Sequence, residues 1–144
     1  MLREDGATFT TGLSRFADEA DWSPQSTAKI FVKIEPESLG AVILAQLDTG
    51  AAWSMLDGEL AEELSLLDGE GESLTISTRL GPFTGQLQRM RICIVADEGE
   101  SLDVDATMWV CRNWKGTFLG YSGLLERIRF AIDPGRNAFH FGSF

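Results

Sequence analysis

Ile30, Val32 and Ile34 alternate with Phe31, Lys33 and Glu35, the period-2 pattern of a half-buried β-strand. The chain that follows is a succession of such short stretches, each cut off by turn residues, and this limits the folds open to it. Glu35-Pro36-Glu37-Ser38-Leu39-Gly40 is a turn, and Ala41 to Leu47 is a second apolar strand that runs into Asp48. Ala52 to Leu56 reads as a short strand. Asp57 can cap a helix through Leu64, with Glu59, Glu62 and Glu63 near its positive end. Ser73 to Leu80 and Phe83 to Val95 form the arms of a long hairpin with Gly81-Pro82 at its tip. An acidic loop from Ala96 to Ser101 precedes a strand over Leu102 to Cys111. After a turn at Arg112 to Gly116 come a strand at Thr117 to Leu119 and a short helix over Ser122 to Ile128. Arg129 to Ile132 and Asn137 to Phe141 are strands around an Asp133-Pro134-Gly135 turn. Many short strands with one or two brief helices predict an all-β, barrel-like domain.

A length of 144 residues suits one hydrophobic core, and 44% hydrophobic with 24% charged residues is ordinary for a soluble globular chain. Residues 1–27 mix small, polar and acidic residues around isolated apolar ones and read as an N-terminal extension. Phe16 and Trp22 are its expected anchors onto a domain spanning 28–144. The 22 acidic residues against 12 Lys and Arg give a net charge of -10, which argues against a nucleic-acid surface. No apolar run is long enough to span a membrane, and Met1-Leu2-Arg3-Glu4-Asp5 lacks the pattern of a signal peptide. Cys93 and Cys111 lie in apolar strands and read as buried free thiols in a reducing cytoplasm, or as a single disulfide. With these two and His140 alone, no metal site is expected. His140, between Phe139 and Phe141, is expected to point outward. Trp53, Trp109 and Trp114 read as core or edge packing, and Asp97-Glu98-Gly99-Glu100 as a solvated loop.

Asp48-Thr49-Gly50-Ala51 carries the chemistry. An Asp before a Gly is common turn chemistry. Here it ends the apolar strand Val42 to Leu47, and the small residues Gly50, Ala51 and Ala52 let another backbone come close. Farther on, Phe118-Leu119-Gly120 runs directly into the helix predicted from Ser122. This order of parts, from about Ala28 to Gly142, resembles the retropepsin-like aspartic proteases, the small bacterial members especially. They share an apolar strand, Asp-Thr-Gly-Ala, a flap hairpin, two apolar residues and a Gly, a short helix and a last strand.

The resemblance implies a closed acid-protease barrel of a single lobe and an aspartic endopeptidase that acts on extended peptide or protein segments. The chain holds one Asp-Thr-Gly, since Asp57-Gly58 and Asp68-Gly69 lack the Thr. The resemblance therefore implies a symmetric homodimer that contributes one Asp48 from each copy. Two adjacent carboxylates sharing a proton can act as base toward water and as acid toward the scissile carbonyl, with no cofactor. By the same resemblance, Thr49 would bond across to the second copy's loop, Gly50 would donate to the carboxylate, and Gly120 would allow close passage beside it. Ala51, Gly81, Pro82, Phe83, Leu119 and Gly120 are the implied substrate-binding residues, with the hairpin from Thr78 to Gly85 as the flap. Viral members place an acidic residue after Asp-Thr-Gly-Ala and an Arg after the later Gly. This chain has Ala52 and Tyr121 there, so its dimer contacts must come from elsewhere. Two other readings stay open at the level of sequence. One is a catalytically silent dimerising or peptide-binding module of the same fold; the other is an unrelated β-barrel binding domain.

Overall fold

The computed structural model describes residues 1–16 and 29–144. Its strands, in chain order, are β1 (Arg3–Glu4), β2 (Ala7–Thr8), β3 (Gly12–Arg15), β4 (Ile30–Pro36), β5 (Ile43–Leu47) and β6 (Ser54–Leu56). After the helix α1 (Gly58–Glu63) come β7 (Glu72–Thr78), β8 (Gly81–Ile94), β9 (Glu98–Gly99), β10 (Leu102–Val110), β11 (Phe118–Leu119), β12 (Arg129–Asp133) and β13 (Ala138–Gly142). The fold is all-β, as the alternation predicts. Asp57 caps α1 by accepting a hydrogen bond from the Glu59 amide at 2.9 Å, in the place the sequence assigns it.

Seven strands form one sheet in the order β10-β6-β11-β5-β4-β8-β7, and a further pairing of β10 with β8 closes it into a barrel. The closed ring leaves β7 outside, paired to the outer half of β8 as a projecting hairpin. The barrel interior is built from the inward residues of each strand. Val32, Ile34, Ala45, Leu56, Ile92, Ile94, Met108 and Leu119 are wholly buried there. Burying a large aliphatic side chain stabilises by roughly 1.5–3 kcal/mol, which makes this cluster the main support of the fold.

A second sheet, β12-β13-β3-β9, takes in the N-terminal strand β3. Leu13 pairs with His140 and Ser14 with Phe139, and Phe16 packs into the barrel core. Trp22 and the expected boundary at residues 27 and 28 lie outside the described residues. Among the described residues no helix is long and apolar enough to cross a membrane.

The structure corrects several sequence expectations. The hairpin turns at Arg79 and Leu80, so Gly81 and Pro82 are the first residues of β8, opposite Thr78 and Ser77. Thr78 closes the turn: its hydroxyl accepts from the Leu80 amide at 3.1 Å and donates to the Gly81 carbonyl at 2.9 Å. Gly81, at φ 106°, takes up the backbone conformation that the tight turn forces on the next residue. Pro82 costs no ladder bond toward β10, whose pairing begins only at Gln86.

The helix expected over Ser122 to Ile128 is a single 3-10 turn, Leu125–Arg127. Ser122 is held beside Trp53 as an isolated bridge, and Gly123, at φ 83°, gives its carbonyl to the Thr107 amide, so helical geometry cannot start earlier. His140 is 7% exposed rather than outward, because β13 is covered on both faces and all five of its residues are buried. The acidic loop is no free loop either: Glu98 and Gly99 pair with Leu13 and Gly12, and Asp97 binds Lys33 and the Arg15 amide. Cys93 and Cys111 are both free; Cys111 is buried and Cys93 only half-buried.

Candidate active site

Asp48 follows β5 directly, and β11 fixes it. β11 lies between β5 and β6, parallel to the first and antiparallel to the second. The Asp48 amide donates to the Leu119 carbonyl at 3.0 Å. Beyond the turn, the Tyr121 and Ser122 amides donate to the carbonyls of Ala51 and Ala52 at 2.9 and 2.8 Å. The Asp-Thr-Gly-Ala loop is thus gripped on both sides by the segment around Gly120. That segment lies about seventy residues away in sequence, and the motif reading pairs the two.

Gly120 is required by this grip. A β-carbon there would lie 2.3 Å from the Trp53 carbonyl oxygen and 2.8 Å from the Ser54 nitrogen. Ser54 fastens the same crossing, since its buried hydroxyl accepts from the Gly120 amide at 2.9 Å and donates to the Gly120 carbonyl at 3.3 Å. Nothing local in the sequence marks Ser54 for this place. A small hydroxyl opposite an obligatory Gly is recognisable only once the two strands are seen to cross.

Within the loop, the Gly50 and Ala51 amides donate to Asp48 Oδ1 at 3.0 and 3.2 Å. The other carboxylate oxygen has no partner among the described residues. The Asp48 side chain is half-buried, while Thr49 and Gly50 are exposed. A carboxylate oriented by two backbone amides and open on one oxygen can accept a proton from water or hold one.

Register fixes what Asp48 looks onto. Phe118 is opposite Gln46 on one side and Met55 on the other, and Met55 is in turn opposite Trp109, so these four side chains share one face of the sheet. The period of two along β5 puts Asp48 on the same face as Gln46. Ala51, Trp53, Leu74, Ile76, Phe83 and Trp114 pack onto this face, forming an apolar cluster separate from the barrel core. Of the expected substrate-binding residues, Ala51 belongs to the Asp48 loop and Phe83 of the hairpin reaches the same cluster. Leu119 and Gly120 adjoin the loop through their backbone, and the Leu119 side chain is turned into the barrel core rather than toward a substrate. Gly81 and Pro82 sit farther out along the hairpin, near its turn.

Trp114 was not expected at the site. It lies in the loop after β10, where no periodicity reports its direction. Its position is set by the start of α1, where the Gly58 amide donates to the Trp114 carbonyl at 2.9 Å and the Gly116 amide to Asp57 Oδ2 at 2.8 Å. Trp109 is fully buried and ties the hairpin to the floor, its indole Nε1 donating to the Leu74 carbonyl at 2.9 Å. No group of side chains suited to holding a metal ion occurs among the described residues.

No protein-family model matches the chain, and no curated protein matches it by sequence. Among solved structures, the chain is similar to a retropepsin-like aspartic protease from Rickettsia conorii, with a TM-score of 0.56 and 18% identity over 89% of this chain and 95% of that one. It also aligns with the solution structure of the simian foamy virus (mac) protease at a TM-score of 0.43 and 15% identity, over 65% of this chain and 89% of that one. The barrel closed by β10 on β8, with the β7–β8 hairpin beside the Asp48 loop, is the fold of the retropepsin-like aspartic proteases.

Proposed function

We propose that the chain is an aspartic endopeptidase whose active site is completed by a second copy, each contributing Asp48. The observation that carries this reading is the built loop. Asp48 is oriented by the Gly50 and Ala51 amides, gripped by the segment around Gly120, and left with one oxygen unpartnered among the described residues, beside an exposed Thr49 and Gly50. One carboxylate cannot act as acid and base at once, so a single copy holds half of the machinery. Across a two-fold axis, two such loops would put like charges close together and keep one proton on the pair.

The ionised member then takes a proton from water as that water attacks the scissile carbonyl. The protonated member donates to the carbonyl oxygen, and the pair returns the proton to the leaving amine. No cofactor is called for. Thr49, exposed at the loop tip, is the group placed to meet the second copy, and the β7–β8 hairpin is the flap that covers an extended peptide or protein substrate. The two free cysteines fit action in the reducing cytoplasm.

The test is cleavage of a broad peptide library by the purified protein from acidic to neutral pH. Activity is expected on the acid side, with a bell-shaped profile from the coupled pair and loss of at least about a thousandfold in Asp48→Asn. Equal behaviour of the wild type and Asp48→Asn would remove the proposal.

A further inference from the structure

On the endopeptidase reading, the substrate passes between the Asp48 loop and the β7–β8 hairpin, over the face that carries Phe118, Met55 and Trp109. That space holds the protein's own rings. Trp114 packs against three aromatic neighbours: edge to face on Phe83 from the hairpin at 5.6 Å between centroids and 86° and on Trp109 from the floor at 5.6 Å and 82°, and tilted against Phe118 at 5.8 Å and 60°. These are contact spacings. A further ring inserted between two of these rings would need their centroids roughly 9 Å apart, twice the shortest spacing of an aromatic pair.

The base of this stack does not yield easily. Trp114 is pinned through the start of α1 by Gly58 and Asp57. The hairpin is drawn against the floor at Gly85, where a β-carbon would lie 2.6 Å from the Trp109 ring and 2.3 Å from the Val110 carbonyl oxygen. Phe83, half-buried on the hairpin, is the member able to move, because it is attached to the element that must open for substrate to enter.

We propose that the substrate residue facing Trp114 is small (Gly, Ala or Ser), and that Phe83 is the specificity-determining residue that sets this limit by occupying the space a larger side chain would take. The limit rests on the endopeptidase reading and deepens it. It is steric rather than polar, since the rings around the space carry no charge. A peptide with Leu or Phe at that position would have to displace Phe83 from Trp114 before its scissile bond could reach Asp48.

The experiment is a peptide library randomised at the positions flanking the cut, read as kcat/KM for wild type, Phe83→Ala and Phe83→Leu. Each variant is first checked for native circular dichroism. In the wild type, one flanking position is expected to favour Gly, Ala or Ser over Phe by about tenfold or more. Phe83→Ala should reverse the order at that position alone, with Phe83→Leu between the two. Phe83→Leu keeps an apolar side chain on the hairpin and serves as the readout if the alanine variant does not fold. A wild type that prefers Phe or Leu at every flanking position overturns the inference, as does a ranking unmoved in the folded variants. Either result leaves the endopeptidase reading standing. Binding of matched statine-type pseudopeptides bearing a methyl or a benzyl side chain, followed by calorimetry, gives the same comparison without turnover. Absence of both cleavage and binding overturns the endopeptidase reading and this inference with it.

Discussion

At the scale of the residue, the site depends on two positions where chemistry leaves little choice. Asp48 is oriented by backbone amides that any sequence would supply, so the role proposed for it rests on the carboxylate itself. Gly120 is the opposite case, a residue chosen for what it lacks. Gly120→Ala must move the Trp53 carbonyl or part β11 from β6. It is expected to lower stability by roughly 2–3 kcal/mol in urea unfolding, a cost in the range of an overpacked core. Activity should fall further than stability, because the same crossing holds the Asp48 loop. Both residues were legible in the sequence, since a motif records local chemistry. Trp114 was not, for its place is fixed by the hydrogen bond its carbonyl accepts from Gly58, with Gly116 of the same loop held by Asp57, far back along the chain. His140 was misread for a related reason. Alternation reports which face is covered only when the other face is open, and β13 is covered on both.

At the scale of the element, the β7–β8 hairpin shows how side-chain chemistry overrides a turn signal. Gly-Pro is strong punctuation, yet the Thr78 hydroxyl closes the turn two residues earlier and leaves Gly81 with its positive φ. Gly81→Ala meets open space but keeps that strained backbone angle. It is expected to cost about 1 kcal/mol of stability, measured by urea midpoint, with no change in the aromatic cluster's near-ultraviolet circular dichroism. Strand existence along the chain was largely readable because burial on one face imposes period two. The short helix was not, since Leu124 to Ile128 is apolar enough to suggest one while Gly123 and the bridge at Ser122 prevent it.

At the scale of the whole molecule, two titratable groups around β3 answer to pH in the same direction. Burial lowers the pKa of His140 from its ordinary 6.5, helped by the positive N-terminus and Arg15 and opposed by Asp133. A base with a depressed folded pKa contributes stability that is fully present above 6.5 and lost as pH falls below it. For Asp97, burial alone would raise the pKa, but the Lys33 ammonium and the Arg15 amide outweigh it and hold the carboxyl below its ordinary 3.8. That contribution is present above 3.8 and is lost as pH falls through the lower folded value. Both groups contact or flank β3, so acid should weaken the N-terminal strand's attachment first. Protection factors of the Leu13 and Arg15 amides, taken against the intrinsic exchange rate at each pH, are expected to fall below pH 6.5 before those of the barrel strands, and His140→Phe should flatten the upper part of this response. An acid-active dyad would thus work where the second sheet is weakening.

The placing of β3 has a practical consequence for anyone who wishes to take the molecule apart. A strand from the first sixteen residues is hydrogen-bonded to β13 on one side and β9 on the other, with Leu13 and Phe16 buried. Strand pairing and burial therefore hold it in place in addition to the chain that joins it to β4. A synthetic peptide of residues 1–16 added to a chain beginning at Ala17 is expected to reconstitute the native fold, seen as recovery of the circular dichroism and a saturable binding isotherm. The chain would then serve as a split reporter, with its two pieces rejoining along a strand that lies outside the barrel.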